Sequence, residues 1–367
     1  MIFSDFDAVL DFPIHEPPTE EEFIRAAMRW HFGDDTGSPF WLRKLPSLGF
    51  DPLTDVKSFD DLRQFPNVVD ELRDVQVQDL IARGYGPKPD LVAIFESGGT
   101  TGSPKRVPFM RDWLHRLLAW MKFDLTRRGL RLGGNWLAAV PGRPHMIGGF
   151  SDHEAQMFES IKFSIDMDPR WVRKLITSGD SASADAYAAH LLSQVESILR
   201  TQDVEVLLIS PPLLERVARR PDLVELVHEK ITHILWGGTH MDADTRRLYM
   251  TEVFPGIPLT GAYGSTMFLG ACKERMGSGP DDPCVYDGLP LTVTFRVLDP
   301  GTGDAVEFGE RGQLLVDHVS KGMFLPNNLE RDTALRLPVA EGHYGDAIGN
   351  ILPASTFGDG DIVVGVY

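Results

Sequence analysis

Apolar positions change their spacing along this chain, and each change predicts a different element. In EEEFIRAAMRWHF (20–32) acids come first, followed by apolar residues three and four apart, which predicts an amphipathic helix. The remainder of 1–90 reads as helical and irregular, cut by prolines. At LVAIFE (91–96) the apolar residues become continuous, which predicts a buried strand. RDWLHRLLAWMKFDLTRRG (111–129) returns to helical spacing and ends on Gly129, as a helix C-cap does. NWLAAV (135–140), VEVLLI (204–209), ITHILW (231–236) and PLTGAYG (258–264) then read as strands. Helices ADAYAAHLLSQVESILR (184–200), PPLLERVAR from Pro211, and DADTRRLYMTEVF with Asp242 as N-cap separate them. From about residue 290 the pattern shifts to LTVTFRVLD and GQLLVDHV, strands of a more antiparallel piece. The predicted fold class is α/β: layered, mostly parallel sheets with helices, plus a smaller antiparallel barrel-like subdomain. The expected division is 1–90, helical and irregular; 91–290, the α/β body; and 291–367, β-rich.

Composition narrows the partners. The 367 residues carry a formal charge of −17, which disfavours nucleic acid and anionic membranes. An anionic small molecule then needs a local positive pocket, for which Lys105, Arg106 and Arg111 are candidates. Two cysteines, Cys272 and Cys284, form no disulfide framework, and the acidic N-terminus does not resemble a secretory signal. No run of 18 apolar residues predicts a membrane span. A cytoplasmic protein is the expectation.

The densest candidate chemistry is SGGTTGSPK (97–105). Backbone N–H groups of a glycine-rich turn can converge on phosphate oxygens, because no Cβ blocks the approach. Thr100 and Thr101 add hydroxyls beside Ser97, Gly98, Gly99 and Gly102, and Lys105 adds a charge. It is not a Walker loop, since Pro104 precedes the lysine and an extended RVPF follows. A plain glycine hairpin between two strands fits the same residues.

SGGTTGSPK resembles the phosphate loop of the adenylate-forming superfamily: acyl-CoA synthetases, peptide-synthetase adenylation domains and luciferases. Further stretches follow in that family's order. LWGGTHMDADTRR (235–247) resembles its adenine-side turn, pointing to Gly238 and Thr239. GAYGSTM (261–267) resembles its Tyr-Gly-x-Thr-Glu motif, pointing to Ala262, Tyr263, Gly264, Ser265 and Thr266. GERGQLLV (309–316) follows, and FLPNNLERDTALRL (324–337) resembles the segment whose aspartate grips the ribose, here Asp332. The resemblance spans about 270 residues and implies binding of ATP or AMP, with Lys105 and Thr266 as catalytic groups. PHMIGGF (144–150) falls where relatives line the acyl pocket, so His145 and Gly148 are the implied substrate contacts. A loop histidine with a local hydrogen bond is the other reading of His145.

Two departures stand out. The family's magnesium-holding glutamate is Met267, and a soft thioether does not suit magnesium, so another carboxylate, water or the phosphates alone must complete its shell. FGDGDIVVGVY (357–367) resembles the hinge before the family's small C-terminal domain, so the expectation is a large body without that lid, its lysine or its pantetheine tunnel. The branch resembled is that of the phenylacetate-CoA ligases and their short relatives in phenazine antibiotic biosynthesis of the griseoluteate type. That implies an aromatic carboxylate, phenazine-1,6-dicarboxylate foremost, activated as acyl-adenylate and passed to a partner reductase. The alternatives are an aryl-CoA ligase of which this is the large part, and a non-catalytic binder of nucleotide or aryl acid. Cys272 and Cys284, with eleven residues between them, read as free thiols, and Trp113 and Trp120, seven apart, as core packing.

Overall fold

The computed structural model describes residues 5–14, 16–98, 103–354, 356–357 and 360–361. The first long helix, Glu20–Phe32, is set by a capping box in which Thr19 and Glu22 satisfy each other's backbone N–H groups. Its apolar stripe, including Phe23, Ile24, Ala27 and Met28, is buried. Short α and 3-10 turns carry the chain to Tyr85.

Strands β1 (Leu91–Glu96) and β2 (Arg106–Met110) then form an antiparallel hairpin, so the glycine-rich segment is the connection of a hairpin. Helix Arg111–Arg127 follows, with Gly129 at φ 93° just beyond its end, where a left-handed residue stops the helix. Trp113 and Trp120 are buried core residues.

The central sheet contains β3 (Trp136–Ala139), β4 (Lys162–Ser164), β5 (Val206–Ile209), β6 (His233–Gly237), β7 (Leu259–Ser265) and β8 (Gly270–Lys273). Its order is β4-β3-β5-β6-β7-β8, parallel throughout except for β8. The strands are apolar on both faces because both faces are covered. Leu137, Leu207, Ile209, Ile234 and Trp236 pack with Leu191, Val195 and Leu199 of helix Ser181–Thr201. On the other face Trp136, Ala138, Val206, Leu208 and Leu235 meet Leu125 and, from helix Met146–Met157 and its C-cap, Ala155 and Phe158. Asp242 caps helix Ala243–Leu248, accepting from Thr245 N at 2.8 Å; the segment predicted as one helix continues from Tyr249 to Val253 as a π turn. The chain steps from β3 to β4 on one side and from β5 to β6 on the other, so the segments after β3 and β5 diverge at the C-terminal edge, where parallel sheets bind ligands.

A second sheet is antiparallel: β9 (Val285–Tyr286), β10 (Val293–Leu298), β11 (Arg311–Val319), β12 (Phe324–Leu337) and β13 (Ala347–Pro353), in the order β10-β11-β12-β13-β9. Two steps along β11, Gln313 to Leu315, face four along β12, Thr333 to Leu329. Residues 330–332 therefore bulge from the ladder, which re-aims their side chains. No helix among the described residues is long and apolar enough to cross a membrane.

Candidate active site

The hairpin, the turn after β7 and the β12 bulge meet. Ser97 N donates to Lys105 O at 3.0 Å and Ser97 Oγ accepts from Lys105 N at 2.9 Å, closing the base of the loop. Gly99, Thr100, Thr101 and Gly102 lie outside the described residues. Lys105 is drawn back to Asp70, 3.3 Å away, with its side chain 13% exposed. Burial lowers its pKa, and Asp70 opposes that.

Glu96 ends β1 just before Ser97. Its carboxylate accepts from Arg106 Nε at 2.9 Å and from Arg170 Nη2 at 2.5 Å. Burial works to raise its pKa, but these two guanidiniums outweigh it and hold the carboxyl below its usual value. The Glu96 backbone is a junction: its N–H donates to Pro144 O at 3.1 Å, it bridges in parallel to His145, and its carbonyl accepts from Thr266 Oγ1 at 3.4 Å.

Across the junction, Tyr263 Oη donates to Asp332 Oδ2 at 3.1 Å, and Ser265 Oγ donates to Glu330 Oε1 at 2.8 Å. Asn328 Nδ2 also donates to Glu330 Oε1, at 3.0 Å, while Gln313 Nε2 donates to the carbonyls of Glu330 and Asp332 and steadies the bulge. Glu330 Oε2 has no hydrogen bond among the described residues. Burial raises the Asp332 pKa; burial and then Asp332 raise that of Glu330; burial and then Asp332 raise that of Tyr263. Ala262, Tyr263, Ser265 and Thr266 are half-buried and Gly264 is exposed, whereas Met267 and Phe268 are buried.

Gly238 follows β6 at φ 90°. A Cβ on the preceding Gly237 would lie 2.7 Å from Ala262 O, so the glycine pair lets this turn sit against β7. Thr239 Oγ1 is buried without a hydrogen-bond partner, as is Ser210 Oγ just beyond β5. His145 is 8% exposed and N-caps helix Met146–Met157; burial, then Arg170, lower its pKa. Gly148 is a packing necessity, since a Cβ there would lie 2.3 Å from Pro141 O.

Met267 packs in the main apolar cluster with Phe268, Leu269 and Trp113, so position 267 offers magnesium nothing. Glu274 is committed elsewhere: it accepts from the Cys284 thiol at 2.7 Å and lies 3.5 Å from Arg246. Cys272 and Cys284 are free thiols, and no group of three or more metal-binding side chains occurs among the described residues. The sequence reading did not single out Glu96, Arg170, Ser210 or Glu330. For Glu330 the signal was present, as an acid two residues before the candidate ribose aspartate. A separate apolar cavity of about 340 Å³, lined by Met167, Val172, Ile176, Tyr187, Leu191 and Leu213 among others, contains none of the site residues.

This architecture, a parallel sheet coupled through a turn to an antiparallel half-barrel, is a fold shared with solved CoA ligases. An open conformation of 2-hydroxyisobutyryl-CoA ligase in complex with 2-HIB-AMP and CoA matches at TM-score 0.61 and 15% identity, over 95% of this chain and 76% of that one. The same ligase in its postadenylation state with 2-HIB-AMP matches at 0.62 and 15%, over 91% and 67%. ATP-bound MatB from Rhodopseudomonas palustris matches at 0.50 and 20%, over 73% of this chain and 48% of its own, so the chain spans about half the length of that protein. No family model and no curated protein matches the sequence.

Proposed function

We propose that this protein adenylates a carboxylic acid: carboxylate plus ATP gives acyl-AMP plus pyrophosphate. The observation that carries this reading is the junction at Glu96, where the hairpin loop, Thr266 and His145 meet within reach of the Asp332 and Glu330 bulge. In the reaction a carboxylate oxygen attacks the α-phosphorus, the bond to the β-phosphate oxygen breaks, and pyrophosphate leaves. Asp332, held by Tyr263, accepts hydrogen bonds from the ribose hydroxyls. Ser97, Gly98 and the Gly99–Gly102 amides and hydroxyls, with Lys105, receive the outer phosphates, while the Thr266 hydroxyl faces the α-phosphate. The Gly238–Thr239 turn and Ala262 wall the base, and His145 and Gly148 border the acid. Bringing two anions together is the difficulty, and fixed donors with enforced proximity are the means available. Magnesium arriving with the phosphates would neutralise their charge, and Glu330, one of whose oxygens makes no hydrogen bond among the described residues, is the hard ligand that would hold it. Lys105 must release Asp70 to reach a phosphate, so Asp70 acts as its resting counter-ion.

The narrower reading is an aromatic acid such as phenazine-1,6-dicarboxylate, whose adenylate a partner reductase consumes. It rests on the sequence resemblance alone. Burial of Met267 favours a second reading, a non-catalytic binder of nucleotide or aryl acid. ATP–pyrophosphate exchange across a panel of aryl and short acyl acids separates them. Exchange dependent on one acid supports adenylation; ATP binding with no exchange for any acid supports the binder.

A further inference from the structure

One buried ion pair lacks the hydrogen bonds such pairs normally have. Lys273 on β8 and Glu154 on helix Met146–Met157 have side chains 8% and 6% exposed, yet their charged atoms stand 3.8 Å apart. Neither group has a hydrogen bond among the described residues, and Glu154 Oε1 is fully buried without a partner. The contrast with other buried pairs is direct. Arg296 and Asp317 meet at 3.0 Å with Thr294 and Asn327 adding bonds, and Arg336 and Asp346 meet at 2.8 Å with Val297 N adding one. Buried charges are ordinarily hydrogen-bonded because leaving them unmet is costly.

The pair lies along the line of the candidate site. Lys273 is opposite Ala262 on β7, and side chains alternate, so Lys273, Ala271, Ala262 and Gly264 share one face while Tyr263 and Cys272 share the other. Between the end of β7 and Lys273 that face carries only Gly264, Ala271 and Ala262, while Ser265 lies on the face of Tyr263. Lys273 is three residues beyond Gly270, which pairs with Ser265, a distance of about 10 Å along the strand. Glu154 is nine residues along the helix capped by His145, about 13 Å.

We infer that Lys273 and Glu154 form the far end of the acid-binding site and receive a neutral group that both accepts and donates a hydrogen bond, such as a hydroxyl or carboxamide. The pair is net neutral. A second carboxylate would gain Lys273 but meet Glu154, and an apolar end would leave both charges unmet. A hydroxyl accepts from the ammonium and donates to the carboxylate. The inference rests on the adenylation reading for the placement of the acid's other end.

Binding of 2-naphthoate, 6-hydroxy-2-naphthoate and naphthalene-2,6-dicarboxylate, measured calorimetrically without nucleotide, tests it, because two fused rings hold their substituents at opposite ends. The wild-type protein is expected to bind the hydroxy acid about tenfold or more tighter than the other two, as one charge-assisted hydrogen bond implies. In K273M/E154L, where an apolar pair replaces the ions, the preference should shrink to within about twofold. In Glu154→Gln the unopposed Lys273 should shift preference toward the diacid, which keeps the test alive if the double variant does not fold. Equal wild-type affinities, a wild-type preference for the diacid, no binding of any of the three, or preferences unchanged in the variants would each overturn it. Pyrophosphate exchange is run separately. A hydroxy-acid preference without exchange sinks adenylation and leaves this subsite standing.

Discussion

The two flanks of the candidate site treat charge in opposite ways. On the hairpin side Glu96 is neutralised by Arg106 and Arg170, Lys105 by Asp70, and Arg73 donates to the Ser103 carbonyl, so little is left unsatisfied. On the β12 side Glu330 and Asp332 share a bulge with hydroxyl and amide donors and, among the described residues, no salt bridge closer than 4 Å, and both carboxyls are held above their usual pKa. A flank whose charges are already matched fixes geometry. A flank whose carboxylates are crowded and under-matched gains most when a ligand supplies hydroxyl protons or a cation. Perturbed groups of the second kind cluster where binding occurs.

The comparison is broken most directly at Asp332. Under the proposed ribose contact, Asp332→Ala would remove two charge-assisted hydrogen bonds, so ATP affinity should fall on the order of a hundredfold. Calorimetric titration checks this, and affinity unchanged within threefold would mean that the bulge does not hold the sugar.

The matched flank should answer differently. Glu96→Ala leaves Arg106 and Arg170 without their shared anion, but both are more than a third exposed and can hydrate, so the expected cost in unfolding free energy is about 1–2 kcal/mol. Urea denaturation measures it. ATP affinity should move much less than in Asp332→Ala; an equal loss would place Glu96 in the binding machinery and erase the distinction between flanks.

This contrast also marks what the sequence could reveal. The sheet was legible because runs such as NWLAAV and ITHILW are apolar on both faces, and only burial on both sides accounts for that. Motif order points to Tyr263, Thr266 and Asp332 as one site, and the fold bonds Tyr263 to Asp332 and Thr266 to Glu96 beside the hairpin loop. The acid at Glu330 stands in the sequence two residues before Asp332, but its environment was not legible, because it comes from a two-residue register mismatch between β11 and β12 that no local pattern encodes. Arg170 and Lys273 were hidden for a related reason. Each meets its carboxylate across more than 70 residues of chain, and a surface lysine or arginine looks the same in sequence as a buried one. The helix at Met146–Met157 escaped because its glycine pair reads as a loop; those glycines instead let the helix approach Pro141 and Phe95.

The smallest expected effect, and the sharpest on mechanism, is that of Glu330→Gln. A carboxyl whose pKa is raised by folding keeps its proton to higher pH than the unfolded chain does. The folded state then binds more protons between the two pKa values, so stability falls as pH rises through that window. Glu330→Gln removes this cost, and its melting temperature should exceed that of the wild type by a few degrees at pH 7. The gap should close as pH falls and the wild-type carboxyl is protonated. A background effect runs the other way: His31 is pushed down to about 4 and His318 to about 3 by burial, so below pH 6.5 the unfolded chain takes up protons the fold refuses. Each costs about 2 kcal/mol at pH 5, which is why variant and wild type must be compared at each pH, not against a single reference. On the proposal that Glu330 holds magnesium, the same variant should weaken the enhancement of ATP binding by magnesium, because a neutral amide oxygen is a poorer ligand than a carboxylate and Met267 offers no substitute. A variant that is more stable at pH 7 yet retains the full magnesium effect would make Glu330 a strained neighbour of the phosphates and leave the metal to the nucleotide alone.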